Sequence, residues 1–346
     1  MTAVQRTQVA SAPLDYQVYR LLSDRAFHSG SELASAGGVS RSAVWKAVAR
    51  LRALGVTVDA VPNRGYRLPA STPLLQAGAL VGALAPAVAT HLRDGECHWC
   101  VDSTNSQLLQ RPAPAPGQFD FMTAEYQSAG RGRRTRRWIA PPGGGVCLSL
   151  SWSFAALPAD IGALSLVIGV CALRALEPLV RGRVTLKWPN DLVVGSAKLG
   201  GILTELRAEA GGPALVVIGI GLNVALGSQS CGQVQASGTQ PVDLAALLQH
   251  AGRLDDALPD RNVLTAALIS SCVTGLQQFE RSGFQPFIAA WRAADALAGK
   301  QVLVSGEGSS IAGHARGIDV SGALCVQTRD GLQRFLSGEV SVRSAP

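Results

Sequence analysis

The chain has 346 residues, 47% hydrophobic and 16% charged, a globular composition too long for one ordinary core. Lysine and arginine outnumber aspartate and glutamate by 31 to 24, an excess that points to an anionic partner. Seven irregularly spaced cysteines argue against a disulfide framework and fit a reducing compartment, no charged-then-apolar leader opens the sequence, and the longest uncharged apolar runs (Ile161 to Leu173, Ala214 to Leu226) fall short of a bilayer span, so a soluble, cytoplasmic protein is expected.

Residues 1 to 15 read as a disordered leader, and Tyr16 to Leu22 as a short helix. Ser29-Gly30-Ser31-Glu32 is a capping box that starts a second helix, and Ser40 is an N-cap for a third. That third helix carries the apolar stripe Val44, Val48, Leu51 and Leu54 and stops at Gly55. The tight Gly37-Gly38-Val39 connection makes the pair a helix-turn-helix, and an alternating stretch turning at Pro62-Asn63-Arg64-Gly65 adds a hairpin wing, so residues 16–70 read as a winged helix-turn-helix. Between Tyr16 and Ala70 stand eight basic residues (Arg20, Arg25, Arg41, Lys46, Arg50, Arg52, Arg64, Arg67) against three acidic (Asp24, Glu32, Asp59), as a DNA-binding unit requires. Ser31, Ser40, Arg41, Ser42, Trp45, Lys46 and Arg50 are its candidate groove contacts, and Arg64 is placed for phosphate or the minor groove. The other use of such a unit is protein contact or regulation.

A polar link from Pro69 to Pro73 ends this domain, and Leu74 to Leu84 reads as a helix opening a larger one, residues 74–297. Cys97-His98-Trp99-Cys100 has metal-site spacing, but it leads into a strand, where positions three apart face opposite sides and cannot share an ion. Asp102-Ser103-Thr104-Asn105 follows that strand and starts a helix, bringing hydroxyls, an amide and free helix N–H groups to one point; a plain helix cap is the commoner use of these residues. Phe119 to Tyr126, Val146 to Ser153, Val184 to Trp188 and Leu215 to Ile220 read as strands, and Ile161 to Leu176 as a buried helix stopped before Pro178. Gly227 to Gln240 reads as a surface loop, with helices over Asp243 to Ala251, Asn262 to Arg281 and Gln285 to Leu297. From Gly299 short alternating strands turn at Asp319 to Gly322 and at Asp330-Gly331, predicting a small antiparallel barrel over 298–346.

The densest charge lies in Thr123 to Trp138, where Gly130 and Gly132 flank Arg131 and five arginines (Arg131, Arg133, Arg134, Arg136, Arg137) fall within seven residues. Glycines admit close backbone approach and guanidinium forks match phosphate and carboxylate oxygens, which suits a loop folded over an anion. A solvated face or a nonspecific nucleic-acid patch has the same charge. Taken with Asp102 to Asn105 upstream, and Lys187-Trp188-Pro189-Asn190-Asp191 and Lys198-Leu199-Gly200-Gly201-Ile202-Leu203 downstream, this stretch resembles the signature set of biotin protein ligases. With the winged helix in front, the resemblance is to the bifunctional kind that also represses the biotin operon.

The resemblance covers residues 16 to 344 and implies an α+β multidomain chain: winged helix-turn-helix, a central mixed α/β class II biotin/lipoate ligase-like domain, and an SH3-like β-barrel. It implies synthesis of biotinyl-5'-AMP from biotin and ATP with Mg²⁺, then transfer of biotin to a lysine of the biotin carboxyl carrier protein of acetyl-CoA carboxylase. Ser103, Thr104, Asn105, Gln127, Arg131, Gly132, Arg133 and Lys198 would hold biotin. Arg133, Arg134, Trp138, Lys187, Asn190, Asn223 and Arg316 would hold ATP or the adenylate. Arg131, Arg133, Lys187 and Lys198 would be catalytic, with Asp191 the one candidate protein ligand for Mg²⁺. A homodimer formed with biotinyl-AMP would bind operator DNA upstream of biotin genes. Thr135 stands where the family has a third glycine of the loop, and a β-branched residue resists positive φ. That departure keeps open a biotin-sensing transcription factor with a weakened ligase site, alongside a monofunctional ligase with a vestigial winged helix.

Overall fold

The computed structural model describes residues 12–69, 73–134, 136–208, 213–236, 238–250, 258–306, 309–336 and 341–344. Residues 1–11 of the expected leader, 70–72 of the link, Thr135 and 337–340 of the expected barrel lie outside the described residues.

The first unit packs α1 (Leu14–Leu22), α2 (Gly30–Gly37) and α3 (Arg41–Ala53) around a core of Val18, Tyr19, Leu22, Leu33, Val44, Val48 and Leu51. Local chemistry sets the helix starts. Ser29 Oγ accepts the Glu32 N–H at 3.1 Å while Ser29 N–H donates to Glu32 Oε2 at 2.7 Å, and Ser40 Oγ accepts the Ala43 N–H at 3.2 Å. Helix α1 begins at Leu14, before the expected Tyr16, because Pro13 supplies the carbonyl for the Gln17 N–H at 3.1 Å; Asp15, assigned to the leader, is buried in it. Strands β1 (Asp59–Val61) and β2 (Gly65–Arg67) pair antiparallel as the wing.

The large unit runs α4 (Ala77–Ala83), α5 (Pro86–Ala89), β3 (Leu92–Val101), α6 (Thr104–Leu109), β4 (Phe119–Gln127), β5 (Gly145–Phe154), α7 (Leu164–Val180), β6 (Thr185–Lys187), β7 (Asp191–Val194), β8 (Ala197–Ala208), β9 (Ala214–Asn223), α8 (Gly227–Ala236), α9 (Leu244–Gln249), α10 (Arg261–Ser282) and α11 (Ile288–Ala293). Its seven strands lie in the order β3-β4-β5-β9-β8-β7-β6, with only β3 and β4 parallel among neighbours. Strand β5 alternates Val146, Leu148, Leu150 and Trp152 with Cys147, Ser149, Ser151 and Ser153, all buried, so the sheet is covered on both faces. The apolar set joins the main core with α7 and α10. On the other face α6 sits over Met122, Leu215 and Val217 through Leu108.

The tail strands β10 (Gln301–Gly306), β11 (Ser309–Ile318), β12 (Leu324–Thr328), β13 (Gly331–Phe335) and β14 (Ser341–Ser344) form an antiparallel sheet in the order β13-β12-β11-β10-β14. Its Val302, Val304, Leu324 and Val326 belong to the same continuous core as α7. Trp188 Nε1 donates to Gly322 O at 3.1 Å, closing the joint.

Several segments differ from the sequence expectation for identifiable reasons. The helix expected from Leu74 starts at Ala77, because the Leu75 and Gln76 N–H groups donate to Glu125 Oε1 (2.7 Å) and Asn262 Oδ1 (2.9 Å). Helix α7 continues through Pro178 to Val180; so near the C-terminus the proline forfeits one backbone bond, and Arg181 then leaves the helix at φ 46°. The apolar stretch Ile161–Val180 is thereby long enough to cross a bilayer, but 67% of it is buried as the central core helix. The loop expected from Gly227 contains α8, whose buried Ser230 sits against Gly55 of the first unit: a Cβ on Gly55 would lie 2.4 Å from Ser230 Oγ. The helix expected over Gln285 to Leu297 ends at Ala293, because Leu186 N–H donates to Ala294 O and Ala296 N–H to Leu186 O, both at 2.8 Å. All seven cysteines are free thiols, with Cys97 opposite Thr123 and Cys100 opposite Tyr126 in β3 and β4.

Helices α7 and α10 meet at Gly275, where an added Cβ would stand 2.2 Å from Cys171 Sγ. Alanine favours a helix interior over glycine by up to about 1 kcal/mol. Gly275→Ala is nevertheless expected to destabilise the chain by about 1–3 kcal/mol through overpacking. Urea unfolding checks this, and adding Cys171→Ala should recover most of the loss.

Candidate functional site

The C-terminal halves of β4 and β9, the N-terminus of α6 and the arginine segment enclose a cavity of about 400 Å³. It gathers Ser103, Thr104, Asn105, Gln127, Arg131, Gly132, Arg133, Arg134, Trp138, Lys187, Asn190, Asp191, Lys198 and Asn223, residues drawn from six separate segments. Arg316 is elsewhere. It lines a separate cleft of about 310 Å³ beside Arg292 and Asp295.

At one end the polar groups saturate one another. Ser103 caps α6, accepting the Ser106 N–H at 3.4 Å, and the exposed Asp102 carboxylate takes the Gln107 amide at 2.8 Å and the Ser103 N–H at 2.6 Å, which hold its pKa below the usual range. Thr104 N–H donates to Gln127 Oε1 at 2.8 Å. Ser149 Oγ lies 2.5 Å from Asn105 Oδ1 and 2.7 Å from Thr104 Oγ1. Asn105 Nδ2 donates to Leu203 O at 3.2 Å and to Glu205 Oε2 at 2.8 Å, and the same carboxylate oxygen receives Arg131 Nη2. Ser103, Thr104 and Asn105 are each only 3% exposed, so their amide and hydroxyl directions are set before any ligand arrives.

Strand β9 shapes the floor by side-chain size. Leu215 and Val217 fill the space under α6, whereas Gly219 and Gly221 clear it: a Cβ on Gly219 would meet Asn105 Oδ1 at 2.5 Å, and one on Gly221 the Trp138 ring at 2.3 Å. Asn223 Nδ2 then donates to Lys198 O (3.1 Å) and Val242 O (3.0 Å), and Asn190 Nδ2 to Ile202 O (2.7 Å), so both asparagines build the wall through their amides.

The arginine segment is a small hairpin. Arg131 and Arg137 pair antiparallel, Gly132 N–H donates to Arg136 O at 2.7 Å, and Trp138 N–H to Gly130 O at 3.0 Å. A Cβ on Gly130 would stand 2.4 Å from Trp138 O, so the first glycine is required by close approach. All five arginines face the cavity together with Lys187 and Lys198. Burial, then the charges of Arg134 and Arg136, lower the pKa of Arg133 from its ordinary value. Lys198 Nζ is paired with Asp191 Oδ1 at 2.6 Å and lies 5.9 Å from the Trp138 ring centroid. The cavity is thus lined by cationic side chains and ends in a cluster of hydrogen-bonded hydroxyls and amides.

Sequence reasoning missed Ser149, Glu205, Gly219 and Gly221. The Cys147-Ser149-Ser151-Ser153 alternation and the Gly-Ile-Gly spacing at 219–221 carried a signal for three of them. Glu205 had none, because its partners Asn105 and Arg131 lie 100 and 74 residues away. Cys147 also lines the cavity, and burial pushes its thiol up to about 12, which removes it as a nucleophile.

In the first unit Ser31, Ser40, Arg41, Ser42, Trp45, Lys46, Arg50 and Arg64 are all exposed, and Trp45 is 61% accessible. Arg64 and Arg67 stack on the Phe27 ring at 4.1 and 4.6 Å, which fixes the wing's cations in direction.

A family model described as Biotin/lipoate A/B protein ligase family matches residues 99–223, an HTH domain matches 16–67, and a biotin protein ligase C terminal domain matches 298–343. The bifunctional ligase/repressor BirA of Escherichia coli (strain K12) is 38% identical over 326 residues, 94% of this chain and 96% of that protein. The biotin--[acetyl-CoA-carboxylase] ligase of Paracoccus denitrificans is 32% identical over 69% of this chain and 96% of its own length. Among solved structures, the biotin protein ligase from Aquifex aeolicus in complex with biotin and ATP aligns with a TM-score of 0.59 at 25% identity, over 73% of this chain and 100% of that one. Three matched domains in the same order, and a relative aligned along nearly the whole length, mean that this chain belongs to the biotin protein ligase family, in its bifunctional ligase/repressor branch.

Proposed function

We propose that this chain joins biotin to ATP as biotinyl-5'-AMP, passes biotin to a lysine of the biotin carboxyl carrier protein of acetyl-CoA carboxylase, and, with biotinyl-AMP bound, dimerises on operator DNA as a repressor of biotin synthesis genes. One observation carries the ligase reading: a single cavity has at one end a saturated cluster of hydroxyls and amides, anchored by the Glu205 carboxylate that Arg131 also reaches, and is lined by seven cationic side chains. Biotin is a neutral ureido head on a carboxylate tail, and ATP brings the polyanion. The domain limits proposed are 16–70, 74–297 and 298–346, and seven free thiols suit a reducing cytoplasm.

The chemistry follows from charge. Biotin's carboxylate attacks the α-phosphorus and pyrophosphate leaves, so negative charge crowds the acyl oxygen, the α-phosphate and the leaving group together. Arg131, Arg133, Lys187 and Lys198 are the groups assigned to that charge, each contributing on the order of 2–4 kcal/mol at the transition state. Lys198 is held by Asp191 at 2.6 Å beforehand, so it enters the reaction already oriented. Among the described residues no cluster of three or more His, Cys, Asp or Glu could cage a metal ion. Asp191, a carboxylate lining the cavity, would hold a Mg²⁺ delivered with the nucleotide, and such an ion would add charge neutralisation of the phosphates. The arginine hairpin excludes water from the mixed anhydride until the carrier's lysine amine attacks the acyl carbon and AMP departs.

Biotin-dependent release of pyrophosphate from MgATP tests the first step. Lys198→Met, which keeps the stem and loses the charge, is expected to lower kcat about 10²- to 10³-fold; an unchanged rate would remove Lys198 from the mechanism. Gly219→Ala pushes on Asn105 and should raise the KM for biotin at least tenfold with less effect on the KM for ATP.

The repressor reading is tested by fluorescence anisotropy of DNA from upstream of biotin synthesis genes at fixed salt. Specific binding is expected only with biotin and MgATP together, and Arg41→Ala should weaken it by about 1–3 kcal/mol. Sedimentation must show the mass doubling under the same conditions, and a constant mass would count against dimerisation.

A further inference from the structure

Glu125 lies in β4, two residues before Gln127, and is 3% exposed; Arg261, the first residue of α10, is 0% exposed. The Glu125 carboxylate takes the Leu75 N–H on Oε1 at 2.7 Å and the Gly143 N–H on Oε2 at 3.0 Å. Arg261 Nη2 reaches both carboxylate oxygens, at 3.1 and 2.8 Å, and Pro73 O at 2.9 Å, while Nη1 donates to Gly145 O at 3.0 Å. Beside it Asn262 accepts the Gln76 N–H at 2.9 Å and donates to Leu74 O at 3.2 Å.

Three segments with different duties therefore meet at one buried ion pair. Residues 73–76 are the chain that arrives from the winged helix. Residues 143–145 are the return of the arginine hairpin into β5. Strand β4 carries Gln127, whose Oε1 accepts the Thr104 N–H at 2.8 Å at the neutral end of the cavity. A buried pair of this kind is a poor source of stability, since apolar residues of similar volume commonly do as well. What an apolar pair cannot supply is direction: four backbone groups are held here at hydrogen-bond length to two planar, rigid side chains.

We propose that Glu125, held by Arg261, is a positioning residue that sets the arginine hairpin and Gln127 for biotin and ties both to the segment leading from the winged helix. The assignment of its effect to biotin rests on the ligase reading above; the mechanical tie does not. Neither residue touches the cavity, so its action passes through Gly143, Gly145 and Gln127, and through Leu75 in the other direction.

The test replaces the pair with apolar residues of similar size, Glu125→Leu with Arg261→Met, in the full chain. Thermal unfolding is expected to stay cooperative and within a few degrees of the parent. Hydrogen exchange of amides in 73–76 and 143–145, measured without ligand, should accelerate at least tenfold in both segments together. The KM for biotin should rise at least tenfold while kcat at saturating biotin falls less than threefold. A stable double variant with unchanged exchange and a KM within twofold of the parent would overturn the proposal and leave the pair a space filler.

If the double variant does not unfold cooperatively, Arg261→Lys decides. It keeps the charge beside Glu125 but cannot also span Pro73 O and Gly145 O, so it should speed exchange in both segments; parent-like exchange there overturns the proposal. Absence of biotin-dependent pyrophosphate release by the unaltered chain would instead sink the ligase reading, with the exchange data still deciding the tie between the segments.

Discussion

Cation crowding is the constraint on which the site depends. Seven positive side chains face one cavity, and without counter-charge they would repel one another apart. Two carboxylates answer this at opposite ends: Glu205 takes Arg131 and Asp191 takes Lys198. Backbone oxygens answer the rest in part, as where Arg137 Nη2 donates to Ser128 O at 3.0 Å. Glu205 has a second duty, since it also accepts from Asn105 Nδ2. One carboxylate oxygen thus sets both the direction of an amide at the neutral end and the position of a guanidinium at the charged end. Arg131 and Lys198 are thereby held in position by the fold itself.

The sheet makes this possible by keeping two jobs on two faces. In β5 and β9 every second residue packs against α7 and α10, which leaves the alternate set free to be small or polar. Along β9 that set grades from Leu215 and Val217 through Gly219 and Gly221 to Asn223, from filler to clearance to polar wall. A register slip of one residue would exchange the faces, placing Ile218 where Asn105 needs room. The pairing of β5 with β9 over ten residues, Gly145 opposite Asn223 to Phe154 opposite Ala214, protects against it.

What could be read beforehand was what chain neighbours decide. The caps at Ser29 and Ser40 and the turn at Gly38 are local bargains between adjacent groups, and the structure repeats them. The residue types of the arginine hairpin and of the 187–191 turn carried their chemistry on their face, and the cavity brings them together. Contacts across the sheet could not be read. Ser149 and Glu205 are ordinary in their own strands and acquire meaning only opposite Asn105. Helix α8 has two glycines and little helix propensity, so its presence reflects tertiary packing, with Ser230 buried at Gly55. Arg316 is read from a motif match alone, and its place in a cleft beside Arg292 and Asp295, apart from the main cavity, could not be read from its neighbours in the chain.

The shared core of barrel and large unit bears on how such chains can be recombined. The winged helix has a cluster distinct from the main core, to which Leu74 and Trp99 of the large unit add, and it meets that unit through Tyr16 and Tyr19 against Trp99 and through Gly55 against Ser230. Val302, Val326 and Val342 have no separate cluster; they complete the one built by α7 and α10, and Gly322 O receives the Trp188 indole. Three units follow one another in sequence, but packing counts two. Exchange between relatives would carry the winged helix across as a cassette, whereas barrel and catalytic unit would have to be inherited together.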